Sequence, residues 1–98
     1  MQAPDNHPVE TISALDALGC STRREIMRVL GPGPRPVGEI AAQLPVSRPA
    51  VSKHLRILER AHLVAHVRSG TRSLFRVHTE GLERARRWLD AVATGIPT

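Results

Sequence analysis

Three residues, Leu44-Pro45-Val46, separate two helical patterns, and the way the second one opens constrains the fold more than any other feature of the chain. Pro45 cannot continue a helix, because its ring removes a backbone N–H and clashes with the preceding turn. Ser47 follows in the position of an N-cap, where a side-chain oxygen takes up a free N–H of the first turn. Pro49 lies inside that turn, where a missing N–H costs nothing. Val46 and Val51 hold the two positions of a hydrophobic staple around the cap. The helix that opens here runs to about Arg60. The short one before it runs from about Val37 to Gln43, with Ile40, Ala41 and Leu44 inward. Two helices joined by a three-residue turn, the second well capped, form a helix-turn-helix pattern.

The flanks extend the pattern. Val9, Ile12, Leu15 and Leu18 fall on one face of a helix that starts near Pro8 and ends at Gly19. A second helix starts near Ser21 or Thr22, where Thr22 and Glu25 have capping-box spacing, and stops at Gly31 after burying Ile26, Val29 and Leu30. Pro32, Gly33, Pro34 and Pro36 then forbid regular structure. After Ala61 the period falls to two. Leu63–Arg68 and Ser73–His78 read as strands around Ser69-Gly70-Thr71-Arg72, a β-hairpin with a glycine in its turn. A last helix spans about Glu80 to Thr94 with Thr79 as its cap, and Leu82, Ala85, Leu89, Val92 and Ile96 make an apolar seam along it. The expected architecture is mainly α with a small β-hairpin, a winged helix-turn-helix ordered α1-α2-α3-α4-β1-β2-α5. Residues 1–8 read as a flexible arm and 9–95 as one domain.

The charge is not spread evenly. The 98 residues carry 14 Lys and Arg against 9 Asp and Glu. From Ser47 to Arg76 there are seven basic residues (Arg48, Lys53, Arg56, Arg60, Arg68, Arg72 and Arg76) and one acid, Glu59. A concentrated basic patch attracts polyanions, nucleic acid first. Val51, Leu55 and Leu58 turn one face of the capped helix inward, which leaves Arg48, Pro49, Ser52, Lys53 and Arg56 facing out. An α-helix fits the major groove of B-DNA, where Arg and Lys bond to guanine and small apolar groups such as Pro49 and Ala50 suit a thymine methyl. The plain alternative is a solvated charged face, but such faces usually mix signs. At the hairpin tip, Arg68 and Arg72 suit phosphates or the minor groove. Charge that protects an edge strand is the competing reading there.

Other chemistry finds little support. One cysteine, Cys20, forbids an internal disulfide and a multi-cysteine metal site. Its place beside a helix N-terminus would lower a thiol pKa, which admits a thiol-responsive reading beside the commoner one of a junction residue. His7, His54, His62, His66 and His78 show no zinc-ligand spacing. No run of about 20 apolar residues spans a bilayer, and no secretory pattern opens the chain, so a cytoplasmic protein without membrane contact is expected. No nucleophile or acid–base motif points to an enzyme. Trp88 and the Leu82/Leu89/Val92 seam suit either a monomer core or a dimer helix, and the dimer is favoured.

Leu15-Asp-Ala-Leu-Gly, Ser21-Thr-Arg-Arg-Glu-Ile, Val37-Gly-Glu-Ile-Ala and Val46-Ser-Arg-Pro-Ala-Val-Ser-Lys-His-Leu-Arg-Ile-Leu resemble the ArsR/SmtB-like winged-helix repressors, and Ala61-His-Leu-Val with the basic hairpin continues the likeness. The resemblance covers about Ile12 to Asp90. It implies a homodimeric repressor on an inverted-repeat operator in double-stranded DNA, closed by the first and last helices through Ile12, Leu15, Leu82, Ala85, Trp88, Leu89 and Val92. It places Ser47, Arg48, Pro49, Ala50, Ser52, Lys53, His54 and Arg56 of the recognition helix, and Arg68, Thr71 and Arg72 of the wing, on DNA. Two departures separate the chain from the family's metal sensors. Val37–Leu44 holds no cysteine pair, and Leu82–Thr94 holds no histidine, with Asp90 alone. The expectation is therefore a metal-free member needing no cofactor, with no effector indicated. The rival class is a winged helix used as a protein-interaction module.

Overall fold

A computed structural model describes residues 9–95, with side chains described from Ser13 onward. The expected arm, His7, the Ile12 side chain and Ile96 lie outside the described residues. The elements are α1 Val9–Ala17, α2 Ser21–Leu30, α3 Val37–Ala42, α4 Arg48–Arg60, β1 Val64–Ser69, β2 Arg72–Val77 and α5 Thr79–Thr94. Their order is that of the winged helix-turn-helix.

The core gathers around α4. Val51, Leu55 and Leu58 are fully covered, with Ile26 and Leu30 from α2, Ile40 from α3, and Leu63 and Val64 at the start of β1. Burying one such aliphatic side chain contributes about 1.5–3 kcal/mol, so this set holds the three-helix unit and its hairpin together. The Ser47 cap forms as its sequence position requires: Oγ accepts from the Ala50 N–H at 3.3 Å. Val46 packs against the core beside fully buried Val51, which completes the staple.

The strands pair antiparallel from Val64↔Val77 to Ser69↔Arg72, leaving Gly70 and Thr71 as a two-residue loop. That loop is tighter than the four-residue turn expected. Gly70 makes it possible by adopting φ 64°, the left-handed region a glycine enters without steric cost. The Pro-rich segment before α3 is not wholly irregular either. Arg35 and Phe75 exchange backbone hydrogen bonds of 2.9 and 2.8 Å, which fastens the α2–α3 connection to β2.

Three local expectations change. The cap of α5 is His78, not Thr79: its Nδ1 accepts from the Gly81 N–H at 3.2 Å, and Thr79 is already helical. Thr22 does not build a capping box. Cys20 holds the N-cap position of α2 without a side-chain cap bond, and Glu25 accepts instead from Arg28 at 2.7 Å. Ala85 leaves the proposed dimer seam, because it is only 2% exposed and belongs to the chain's own core. The reason is the packing of α5 on α1, where Ala14 and Ala17 are buried too; small residues let two helix axes approach closely. Leu15 is likewise partly covered by that core.

Gly81 has the most exacting position. A Cβ there would stand 1.7 Å from the carbonyl oxygen of His62, so the first turn of α5 passes directly over the backbone that ends α4. His62 itself sits at φ 60°, which turns the chain from α4 into β1.

Candidate nucleic-acid interface

The outward face of α4 follows from its inward one. With Val51, Leu55 and Leu58 fixed in the core, the helical period leaves Arg48, Pro49, Lys53 and Arg56 exposed and Ala50 and Ser52 half-buried. Pro49, Ala50, Lys53 and Arg56 line a shallow groove of about 320 Å³, two small apolar side chains together with two cations. Arg48 is drawn to one side of this groove. Its guanidinium lies against α3 at Gly38, with Nη1 3.5 Å from where a Cβ would be, an ordinary contact distance.

His54 is half-buried on the flank of α4, and Arg23 of α2 reaches it. The Arg23 Nε donates to the Ala17 carbonyl at 2.7 Å, and its Nη1 stands 3.3 Å from His54 Nδ1. A guanidinium only donates, so Nδ1 accepts and the neutral ring carries its proton on Nε2. Burial, then the Arg23 and Lys53 charges, hold the His54 imidazole below its ordinary value of 6.5. The ring therefore ties the α1–α2 junction to α4 through Nδ1.

The wing carries its cations at the tip. Arg68, Ser69, Gly70, Thr71 and Arg72 are all exposed. On the hairpin behind them, His66 stacks on Phe75 with ring centres 4.8 Å apart and bonds to Ser73. Arg72 does not hang free: its Nη2 lies 3.8 Å from Glu39 Oε2, while Arg35 Nη1 lies 3.7 Å from Glu39 Oε1. Arg35 is itself anchored, donating from Nε to the Val29 carbonyl at 3.1 Å.

Of the eight expected residues, seven lie on α4 and Ser47 is its cap, and the three wing residues lie at the hairpin tip. Arg23, Arg35 and Glu39 were not among the expected site residues. Glu39 had one weak signal, its four-residue spacing from Arg35; its contact with Arg72 is a long-range one that spacing does not report.

Along α5, Leu82, Leu89 and Val92 are 37, 50 and 60% exposed, and Trp88 is half-buried beside them. Among the described residues no three His, Cys, Asp or Glu gather as metal ligands, and no helix is long and apolar enough to cross a membrane. At Cys20 a backbone hydrogen bond involving Arg23 lowers the thiol, burial opposes it, and the Thr22 backbone with the Arg23 and Arg24 charges adds to the lowering.

A helix-turn-helix domain family matches residues 18–67. The HTH-type transcriptional regulator Rv2034 of Mycobacterium tuberculosis is 48% identical over 77 residues, covering 79% of this chain and 72% of its own. The ArsR-like transcriptional regulator from Rhodococcus sp. RHA1 superposes with a TM-score of 0.78 at 34% identity, over 88% of this chain and 81% of that one. The chain belongs to the ArsR-like winged helix-turn-helix regulators.

The ArsR-like fold extends to the homodimeric winged helix-turn-helix DNA-binding domain Mb0332 of Mycobacterium bovis, with a TM-score of 0.70 at 28% identity over 87% of this chain and 79% of that one. Relatives of this ArsR-like chain are transcriptional regulators and repressors that carry a helix-turn-helix DNA-binding domain. In this winged helix-turn-helix fold α3 and α4 are the two helices of the motif, and β1–β2 is the wing hairpin.

Proposed function

We propose that this transcriptional regulator binds an inverted-repeat operator as a homodimer and represses the promoter beside it. Each protomer lays α4 in the major groove. Arg48, Ser52 and Lys53 meet base edges there, Pro49 and Ala50 meet thymine methyls, and Ser47, His54 and Arg56 border the contact. Arg68, Thr71 and Arg72 of the wing follow the adjacent phosphates. The two copies join through α1 and α5, with Leu82, Trp88, Leu89 and Val92 at the seam. It is a binding protein without a catalytic step, metal or cofactor, acting in the cytoplasm where the DNA is.

The observation that carries this reading is the face of α4. Pro49, Ala50, Lys53 and Arg56 line one groove there with no acid among them, on a helix whose start is fixed by a capped turn. Mb0332 being homodimeric, together with the exposed apolar residues of α5, supports the dimer. Selection from a random duplex library tests the proposal. Bound sequences should converge on two half-sites in inverted orientation, with centres about 10 base pairs apart or a multiple of that. Affinity should fall steeply with salt as phosphate counterions are released. Recovery of unrelated sequences, bound no better than bulk DNA, would contradict it.

A further inference from the structure

We infer that Glu39 sets the DNA affinity of the wing by competing with phosphate for Arg72. The inference rests on the reading of the wing as a phosphate contact. Among the described residues, Arg72 is the only basic residue of the expected DNA face that pairs with a carboxylate. Glu39 is placed for that role by α3, whose first turn lies under the wing and beside the Arg48 guanidinium that rests on Gly38.

The geometry favours a competitor over a structural brace. The wing is already held without Glu39, by the β1–β2 register and by the paired backbone bonds of Arg35 and Phe75. Removing the carboxylate therefore frees a side chain and leaves the strand in place. Nor does Arg72 abandon a lone charge when it turns to DNA. The other oxygen of Glu39 keeps Arg35, which the Val29 carbonyl and the β2 backbone hold fast. The Arg72 and Glu39 side chains are 62 and 54% exposed, so the exchange involves little desolvation. In the free protein Arg72 divides its time between Glu39 and solvent, and apparent affinity falls by the fraction of time it is free to meet phosphate.

The expected size is modest and doubles in the exponent. An exposed pair of this kind is worth about 1.5- to 5-fold in an equilibrium, so two wings on one DNA give about 2- to 25-fold. Fluorescence anisotropy with the full chain and a random-sequence 30-base-pair duplex measures it. Glu39→Gln and Glu39→Ala should each tighten binding within that range, and when Arg72 is also changed to Ala neither should gain more than the loss of one negative charge gives. Glu59→Gln, an equal change in charge at a residue with no ion pair among those described, should gain less. Weaker or unchanged binding by both Glu39 variants overturns the inference, as does a gain that survives Arg72→Ala undiminished and above that of Glu59→Gln. If Arg72→Ala by itself leaves affinity unchanged, the wing reading falls first and the inference with it. If Arg72→Ala weakens binding while the Glu39 variants gain nothing, only the inference falls.

Discussion

Gly81 and His54 show how much a single residue decides here. At Gly81 the neighbour a Cβ would meet is a backbone carbonyl, not a flexible side chain, so the contact at His62 cannot be relieved by a rotamer change. Forcing extra volume into such a site costs about 1–3 kcal/mol or more. Gly81→Ala should therefore lower the midpoint of thermal unfolding by roughly 5–20 °C. Circular dichroism melting checks this, and an unchanged midpoint would mean that α5 does not lie over the α4 terminus. His54 predicts a pH dependence of stability. Burial first, then Arg23 and Lys53, depress its folded-state pKa below 6.5, so the unfolded chain binds more protons in that range. Its contribution is full above the unfolded value and is lost as pH falls through 6.5 toward the lowered folded value. His54→Gln, which can still accept from Arg23, should flatten that part of the curve. Urea unfolding between about pH 7.5 and 5 measures it.

At the scale of the element, periodicity and punctuation carried most of the information. Ser47, Pro49 and the Val46–Val51 staple placed the start of α4 to the residue, because each acts within one turn of chain. The order of all seven elements followed from the change of period at Ala61 and the glycine and proline breaks. What stayed hidden was contact between distant parts. Thr79 reads as the cap of α5 because hydroxyls are usual N-cap groups and imidazole is not, yet it is Nδ1 of His78 that accepts from the Gly81 N–H. The Arg35–Phe75 bridge lies in a segment that composition marks as irregular. Ala85 has the spacing of the α5 seam, but which side of a helix meets the chain's own α1 is decided only by packing. The same held at the site: Arg48, Lys53 and Arg72 were legible as a charge cluster, whereas Glu39 and Arg23 entered through tertiary contact. The seam that remains gives the prediction for this scale. Leu89 is half exposed, so Leu89→Glu should leave the fold intact and turn a dimer into a monomer at about ten micromolar. Sedimentation velocity reads the change, with thermal melting as the control for folding; an unaltered dimer would place the interface elsewhere.

For the whole molecule, the division of labour between α4 and the wing is the claim on which the functional account stands. A dimer with two-fold symmetry presents two copies of α4 and two wings, so each substitution acts twice on one operator. Losing a base-reading side chain should cost about 1–3 kcal/mol per half-site on the operator and little on other DNA. Losing a phosphate contact should weaken all sequences together and make the salt dependence shallower by about one unit per contact, or about two per dimer. The direct measurement is the affinity of wild type, Arg48→Ala, Lys53→Ala and Arg72→Ala for a selected operator and for a random duplex, each across a salt series. The account predicts that Lys53→Ala narrows the gap between operator and random DNA and relaxes preference at one base pair per half-site, while Arg72→Ala lowers both affinities and flattens the salt slope. Operator affinity and base preference left unchanged in both Arg48→Ala and Lys53→Ala would contradict it.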